Sequence, residues 1–215
     1  MIQAVVFDLD GVLLDSEQLW DDVREGLARE RGGRWHEGAQ AEMMGMSSRE
    51  WSVYMHDRIG LPEPPDEISA EVVQRMLERY RHELPLIPGA VDAVERIAAR
   101  WPLGLASSSN RELIDAALEA AALARHFRVT VSSEEVERGK PAPDVYLEAA
   151  RRLEVAPGHC AAIEDSQNGI RSAKAAGMRV IAIPNPRFPP PEDVLAEADV
   201  VLDRIAELSP EAIAG

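Results

Sequence analysis

Short apolar runs alternate along this chain with longer stretches in which apolar residues recur every three or four positions. Ile2, Ala4, Val5, Val6 and Phe7 make the first run and predict a buried strand. The rhythm then becomes helical. Leu19, Trp20, Val23 and Leu27 predict a helix that ends at Gly32-Gly33. A second helical stretch starts near Ser47 and carries Trp51, Tyr54, Met55 and Ile59. Leu61 to Pro65 is a proline-rich break. Asp66 is then expected to cap a third helix with Ile68, Val72, Met76, Tyr80 and Leu84. No strand pattern occurs between Asp15 and about Pro85, so a long helical segment follows the first strand directly.

From Pro88 the two patterns take turns. Helices are expected at Gly89–Arg100, Arg111–Leu123, Asp144–Leu153 and Gly169–Ala176. Strands are expected at Leu103–Ser107, Val129–Ser132, Cys160–Ile163 and Arg179–Ile183, with Val200-Val201-Leu202 as a last short one. Pro184 to Pro191 holds five prolines and predicts an irregular loop. This order implies an α/β fold: a Rossmann-like parallel sheet with helices on both faces and a small inserted all-helical domain. The expected division is a core of residues 1–15 and 86–215 with a helical domain of residues 16–85. In such sheets ligands bind beyond the carboxyl ends of the strands.

Candidate chemistry gathers at those ends. Asp8 and Asp10 close the first strand, and Gly11 permits a sharp turn after them. Residues two apart on a strand share a face. Neighbouring carboxylates repel each other unless a cation or an acid–base task uses them. The second strand ends at Ser107-Ser108-Ser109-Asn110, with Asn110 a candidate helix cap. Glu164-Asp165-Ser166 follows a later strand, and Lys140 lies between a strand and a helix. Acid, hydroxyl and amine groups therefore meet on one rim of the sheet.

Composition narrows the partners. At 215 residues, with 46% hydrophobic and 28% charged residues, the chain has an ordinary globular balance and can bury a full core. Its net charge of −15 repels nucleic acid and anionic membranes, so neither is expected as a partner. A phosphate-bearing ligand must be drawn by a local positive site. Only two of the 23 basic residues are lysines, Lys140 and Lys174, which suggests that Lys140 fills a role arginine cannot. Cys160 is the only cysteine, sits in an apolar run and reads as a buried core residue. The single thiol suits a reducing compartment. The start has no basic leader pattern, and no apolar run approaches the roughly 18 residues of a membrane span. A cytoplasmic monomer is expected.

Four ordered motifs carry a family resemblance: Asp8-Leu9-Asp10-Gly11, Ser107 after an apolar strand, Gly139-Lys140-Pro141, and Glu164-Asp165-Ser166 followed by Asn168-Gly169. With them the chain resembles the haloacid dehalogenase superfamily, in the subgroup with a helical cap inserted after the first strand. That resemblance implies phosphoryl transfer. Asp8 would be the nucleophile and Asp10 the acid–base. Ser107 and the Ser108 amide would hold phosphate oxygens, and Lys140 would offset charge. Mg2+ would be held by the Asp8 carboxylate, the Asp10 carbonyl and Asp165, with Glu164 beside it.

The resemblance also sorts activities. A halide needs no proton, so an acid at Asp10 favours a phosphate ester. No lysine lies between Met1 and Gly139, which excludes phosphonoacetaldehyde hydrolases with their cap Schiff-base lysine. The stretch Met44-Gly45-Met46-Ser47-Ser48-Arg49-Glu50 resembles the substrate loop of β-phosphoglucomutase-like proteins, one residue longer. Trp20, however, stands where those mutases carry a histidine, as in sugar-phosphate phosphatases. Trp20, Arg49 and Asn110 are the candidate substrate contacts. The expected activity is Mg2+-dependent hydrolysis of a small phosphorylated metabolite. A hexose phosphomutase and a noncatalytic phosphate- or metal-binding protein are the alternatives.

Overall fold

The apolar runs pair into one parallel sheet of six strands: β1 Ala4–Phe7, β2 Leu103–Ser107, β3 Phe127–Ser132, β4 Cys160–Glu164, β5 Arg179–Ala182 and β6 Val200–Val201. The computed structural model describes all 215 residues. Strand order is β3-β2-β1-β4-β5-β6, with β1 at the centre. The chain runs outward from β1 to β3, then crosses back to β4 on the other side of β1. This reversal is the switch point at which such sheets bind ligands. Register aligns the carboxyl ends: Phe7 pairs with Leu105 and with Ile163, and Ser107 with Ser132.

Strand residues alternate between two apolar layers, as a period of two requires. Val5, Phe7, Leu103, Leu105 and Ile163 face one cluster; Ala4, Val6, Ala106, Ala162 and Val180 face the other. Phe7 meets Phe127 edge to face at 6.0 Å. Each such buried side chain contributes about 1.5–3 kcal/mol of transfer free energy. The first cluster continues through Leu13 and Leu14 into Trp20, Trp51, Met55 and Met76. The inserted helices thus share a core with one face of the sheet. Cys160 is fully buried, as expected, and burial pushes its thiol up to about 11.

Between β1 and β2 the chain forms α1 Glu17–Glu30, α2 Ala39–Met43, α3 Ser48–Tyr54 with a π turn at Met55–Ile59, α4 Pro65–His82 and α5 Ala90–Ala98. The short α2 is not foreshadowed by periodicity. Ser47 caps α3 with a reciprocal Ser47–Glu50 box. Asp66 does not cap α4. Pro64 holds the cap position and Pro65 the first turn, where a missing N–H costs nothing. Asp66 lies inside that turn, where its charge suits the helix dipole. The two passages between insert and sheet run side by side: Asp15 N–H donates to Pro85 O at 2.8 Å and Ile87 N–H to Leu13 O at 2.9 Å.

The remaining helices are α6 Arg111–Ala120, α7 Asp144–Leu153, α8 Gln167–Ala175, α9 Glu192–Leu195 and α10 Pro210–Ala214. α8 begins two residues earlier than expected because Ser166 Oγ accepts from Gly169 N–H and caps it. α6 ends three residues early. The short α9 and α10 were not expected.

Candidate active site

β1 ends one residue before Asp8, whose N–H continues the ladder to Ile163 O at 3.0 Å. The chain then turns at Gly11, where φ is +78°. A Cβ there would lie 1.9 Å from Asp165 Oδ2, so only glycine lets the turn press against that carboxylate. Lys140 reaches the same point from the loop before α7 and is 2% exposed. Its Nζ lies 3.0 Å from Asp8 Oδ1 and 2.5 Å from Glu164 Oε1. Burial opposes its charge, but Asp8 and Glu164 outweigh that and hold its pKa above the ordinary lysine range.

Asp8, Glu164 and Asp165 have carboxylate oxygens within 4.8 Å of one another. They are not equivalent. Glu164 Oε1 accepts from Lys140 and from the Tyr146 hydroxyl at 2.6 Å. Its Oε2 accepts from the Asp165 and Ser166 amides and the Ser166 hydroxyl. Gly169 packs against this carboxylate so closely that a Cβ would fall 1.9 Å from it. Asp165 Oδ2, by contrast, is buried without a hydrogen bond, and Asp8 Oδ1 meets only the Lys140 ammonium that Glu164 shares. Burial raises the pKa of Asp8 and of Asp165 well above the usual carboxylate range. Glu164 and Asp10 add to the rise at Asp8 despite Lys140, and Glu164 and Asp8 add to it at Asp165. Three buried carboxylates that share one ammonium suit a small hard cation, and this oxygen donor set fits Mg2+.

Asp10 stands above this floor. Its Oδ1 accepts from Ser16 Oγ at 2.5 Å and Trp20 Nε1 at 3.2 Å, and its Oδ2 from Ser109 Oγ at 2.6 Å. Ser107 is buried at the end of β2, where its Oγ accepts from Ser109 N–H at 3.0 Å and its own proton is left to donate. Ser108 Oγ donates to Gly45 O of the insert at 3.0 Å. Asn168 Nδ2 donates to Met44 O at 3.1 Å, which draws the same loop onto the rim.

The loop roofs a small cavity of about 40 Å³ lined by Asp8, Asp10, Ser108, Ser109, Asp165 and Ser166 below and by Glu17, Trp20, Arg24, Met43 and Trp51 above. Gln40 of α2 donates through Nε2 to Glu17 Oε2 at 2.9 Å, and its Oε1 accepts from Arg24 Nη1 at 3.2 Å. The Arg24 guanidinium lies 4.4 Å from the Trp20 ring centroid and 4.7 Å from that of Trp51. Burial pushes Glu17 up to about 7, with Asp10 adding to the rise, and lowers Arg24 to about 10.

The fold therefore brings together Asp8, Asp10, Ser107, Ser108, Lys140, Glu164, Asp165 and Trp20. Two expected residues stand apart. Arg49 is exposed and, with Asn110, lines a separate cleft between α3 and α4. On α3 the buried positions are Ser48, Trp51 and Ser52, and Arg49 falls off that stripe. Asn110 holds the cap position of α6, but its side chain caps nothing. Its Nδ2 donates to Glu134 Oε1 at 2.7 Å, while Glu134 Oε2 accepts the Arg111 N–H at 2.8 Å and caps the helix instead. Periodicity alone passed over Glu17, Arg24 and Gln40. The available signal was charge on the apolar stripe of α1, since Glu17, Trp20 and Arg24 follow at three- and four-residue steps.

A family model described as a haloacid dehalogenase-like hydrolase matches residues 2–177. The chain is 34% identical over 221 residues to hexitol phosphatase B of Escherichia coli K12, covering all of this chain and 97% of the relative. It is 30% identical over 207 residues to a bifunctional riboflavin kinase/FMN phosphatase of Arabidopsis thaliana, covering 95% of this chain but only 54% of that longer protein. The structure is similar to CbbY from Rhodobacter sphaeroides in complex with phosphate, with TM-score 0.87, 28% identity and full coverage of both chains.

Proposed function

Because the chain belongs to the haloacid dehalogenase-like hydrolase family, we propose that it is a Mg2+-dependent phosphatase of small phosphorylated sugars or polyols. The observation that carries this reading is the floor of the cavity, where a single cation, Lys140, ties Asp8 to Glu164 while Asp165 Oδ2 lacks any hydrogen-bond partner. Residues 1–15 and 86–215 act as the catalytic core, and residues 16–85 as a cap that closes over it. The names of relatives support the substrate class: a hexitol phosphatase and, from Thermotoga maritima, a phosphorylated carbohydrates phosphatase.

Asp8 attacks phosphorus. A bond forms between its carboxylate oxygen and phosphorus as the ester bond to the leaving alcohol breaks, giving an aspartyl-phosphate. Asp10, aimed by Ser16, Trp20 and Ser109, gives a proton to the leaving oxygen. It then takes a proton from the water that attacks phosphorus and frees Asp8. The Ser107 hydroxyl and the Ser108 amide hold phosphate oxygens, and Lys140 offsets the charge of nucleophile and phosphate. The Asp8 and Asp165 carboxylates and the Asp10 carbonyl would hold Mg2+, which would supply the positive charge that lets a carboxylate approach an anionic phosphate. Glu164 serves Lys140 and the α8 cap, since both its oxygens are already bonded.

The test is phosphate release from a panel of phosphate esters, with and without Mg2+, for the wild type and Asp8→Asn. Mg2+-dependent release that Asp8→Asn abolishes supports the reading. Undiminished turnover in Asp8→Asn refutes the nucleophile. Interconversion of sugar phosphates with little free phosphate would assign a phosphomutase instead.

A further inference from the structure

The proposed chemistry uses the floor of the cavity and Asp10, and it leaves the charged groups of the roof without a task. Glu17 and Arg24 are buried, at 8% and 4% exposure, and both line the cavity. Opposite charges in a dry site gain most by direct pairing. These two are instead joined through a neutral amide. Gln40 gives an N–H to the Glu17 carboxylate at 2.9 Å and another to the Glu17 carbonyl at 3.2 Å, and takes one from Arg24 at 3.2 Å. Trp20 and Trp51 hold the guanidinium against their rings. Arg24 Nε is buried with no partner at all. The roof thus presents an acceptor and a donor side by side, each with capacity left, about a leaving group attached to the phosphate below.

We propose that Glu17, Gln40 and Arg24 form a leaving-group subsite that selects a neutral polyhydroxylated alcohol and discriminates against a second phosphate. The proposal rests on the phosphatase reading of the same cavity. A hydroxyl both donates and accepts, so neighbouring hydroxyls of a sugar or polyol satisfy Glu17 and Arg24 together. A second phosphate has acceptors for Arg24 but brings more negative charge to Glu17. The cavity is already lined by Asp8, Asp10, Glu17 and Asp165, and Arg24 is the one cation of its roof, with Lys140 held on the floor by Asp8 and Glu164. Discrimination here comes from the unfavourable element, Glu17, as much as from the favourable one.

The experiment compares kcat/KM for a hexitol 6-phosphate and a hexose 1,6-bisphosphate in the wild type, Glu17→Gln and Gln40→Leu. The wild type is expected to favour the monophosphate by at least about tenfold, and Glu17→Gln to narrow that ratio on the order of tenfold, mainly through KM. Calorimetry of both ligands with Asp8→Asn reads the same preference without turnover and without altering the roof. A wild type that favours the bisphosphate, or a ratio unmoved by Glu17→Gln, overturns the subsite even when phosphate release is brisk. Loss of all turnover with the calorimetric preference intact leaves the subsite standing and removes the phosphatase reading instead.

Discussion

The floor and the roof of one cavity hold buried charge in opposite ways. On the floor, Lys140 touches Asp8 and Glu164 directly at 3.0 and 2.5 Å, and the Tyr146 hydroxyl and the Asp165 and Ser166 amides also donate to Glu164. In the roof, Glu17 and Arg24 meet only through Gln40, with separations of 2.9 to 3.2 Å. The floor is built around negative charge that the protein itself leaves unbalanced. The roof is balanced through a neutral intermediary and keeps spare donors and acceptors. A rigid, charge-deficient floor suits a fixed reaction on a phosphate, whereas an adaptable roof suits a variable alcohol.

Substitutions at the floor sharpen this contrast most. Asp8→Asn removes the proposed nucleophile and is expected to lower kcat by about four orders of magnitude or more. It also removes a buried charge that faces Glu164 and Asp10, so its Tm in Mg2+-free buffer is expected to equal or exceed that of the wild type. Opposite movements of activity and Tm support the strained floor. A marked fall in Tm would show that Asp8 is already well compensated.

Lys140→Met tests the other sign. Removing one partner of a buried ion pair leaves the other charge bare, at a cost of about 3–5 kcal/mol. In a chain of this length that lowers Tm by about 10 °C. Both Asp8 and Glu164 lose their cation, so kcat falls with stability, unlike in Asp8→Asn. A Tm within a degree or two of the wild type would overturn the view that Lys140 holds the floor together. Gly11→Ala comes next. Its Cβ would fall on Asp165 Oδ2, and its φ of +78° is strained for alanine. Displacing this carboxylate, proposed to hold the metal, is expected to weaken Mg2+ activation about 10–100-fold, as loss of a metal's supporting groups does. A Mg2+ titration of activity measures it, and an unshifted midpoint would separate Asp165 from the metal.

The floor was legible in the sequence and much of the roof was not, for physical reasons. Asp8, Ser107, Glu164 and Asp165 each follow an apolar run, and parallel strands necessarily bring such positions to one edge. Strand ends can be read one at a time. Gln40 meets Glu17 and Arg24 across 23 and 16 residues of chain, through a five-residue helix that no periodicity announces. Trp20 was anticipated from its place after Asp-Ser-Glu, but its N–H bond to Asp10 depends on how α1 docks. Glu134 takes over the cap of α6 from another loop, which the local pattern around Asn110 could not reveal.

Arg49 gives the smallest effect and the cleanest check on the roof. Loop resemblance marked it as a substrate contact, because a cation after the glycine of the loop is placed to meet a distal group. Helix geometry places it elsewhere. Ser48 and Trp51 are three apart and both turn inward, while Arg49 is one step, about 100°, round the helix from Ser48. Its side chain is exposed and lines the cleft that also contains Asn110 and Glu134, away from Asp8. Arg49→Ala is therefore expected to leave kcat/KM within about twofold and Tm within about 1 °C of the wild type, as for a solvated surface change. Arg24, not Arg49, is the cation of the inserted helices that lines the cavity above Asp8. A tenfold rise in KM for Arg49→Ala would reverse that assignment. It would mean that α3 turns Arg49 inward when substrate binds, and that the roof rearranges more than its Gln40 bridge implies.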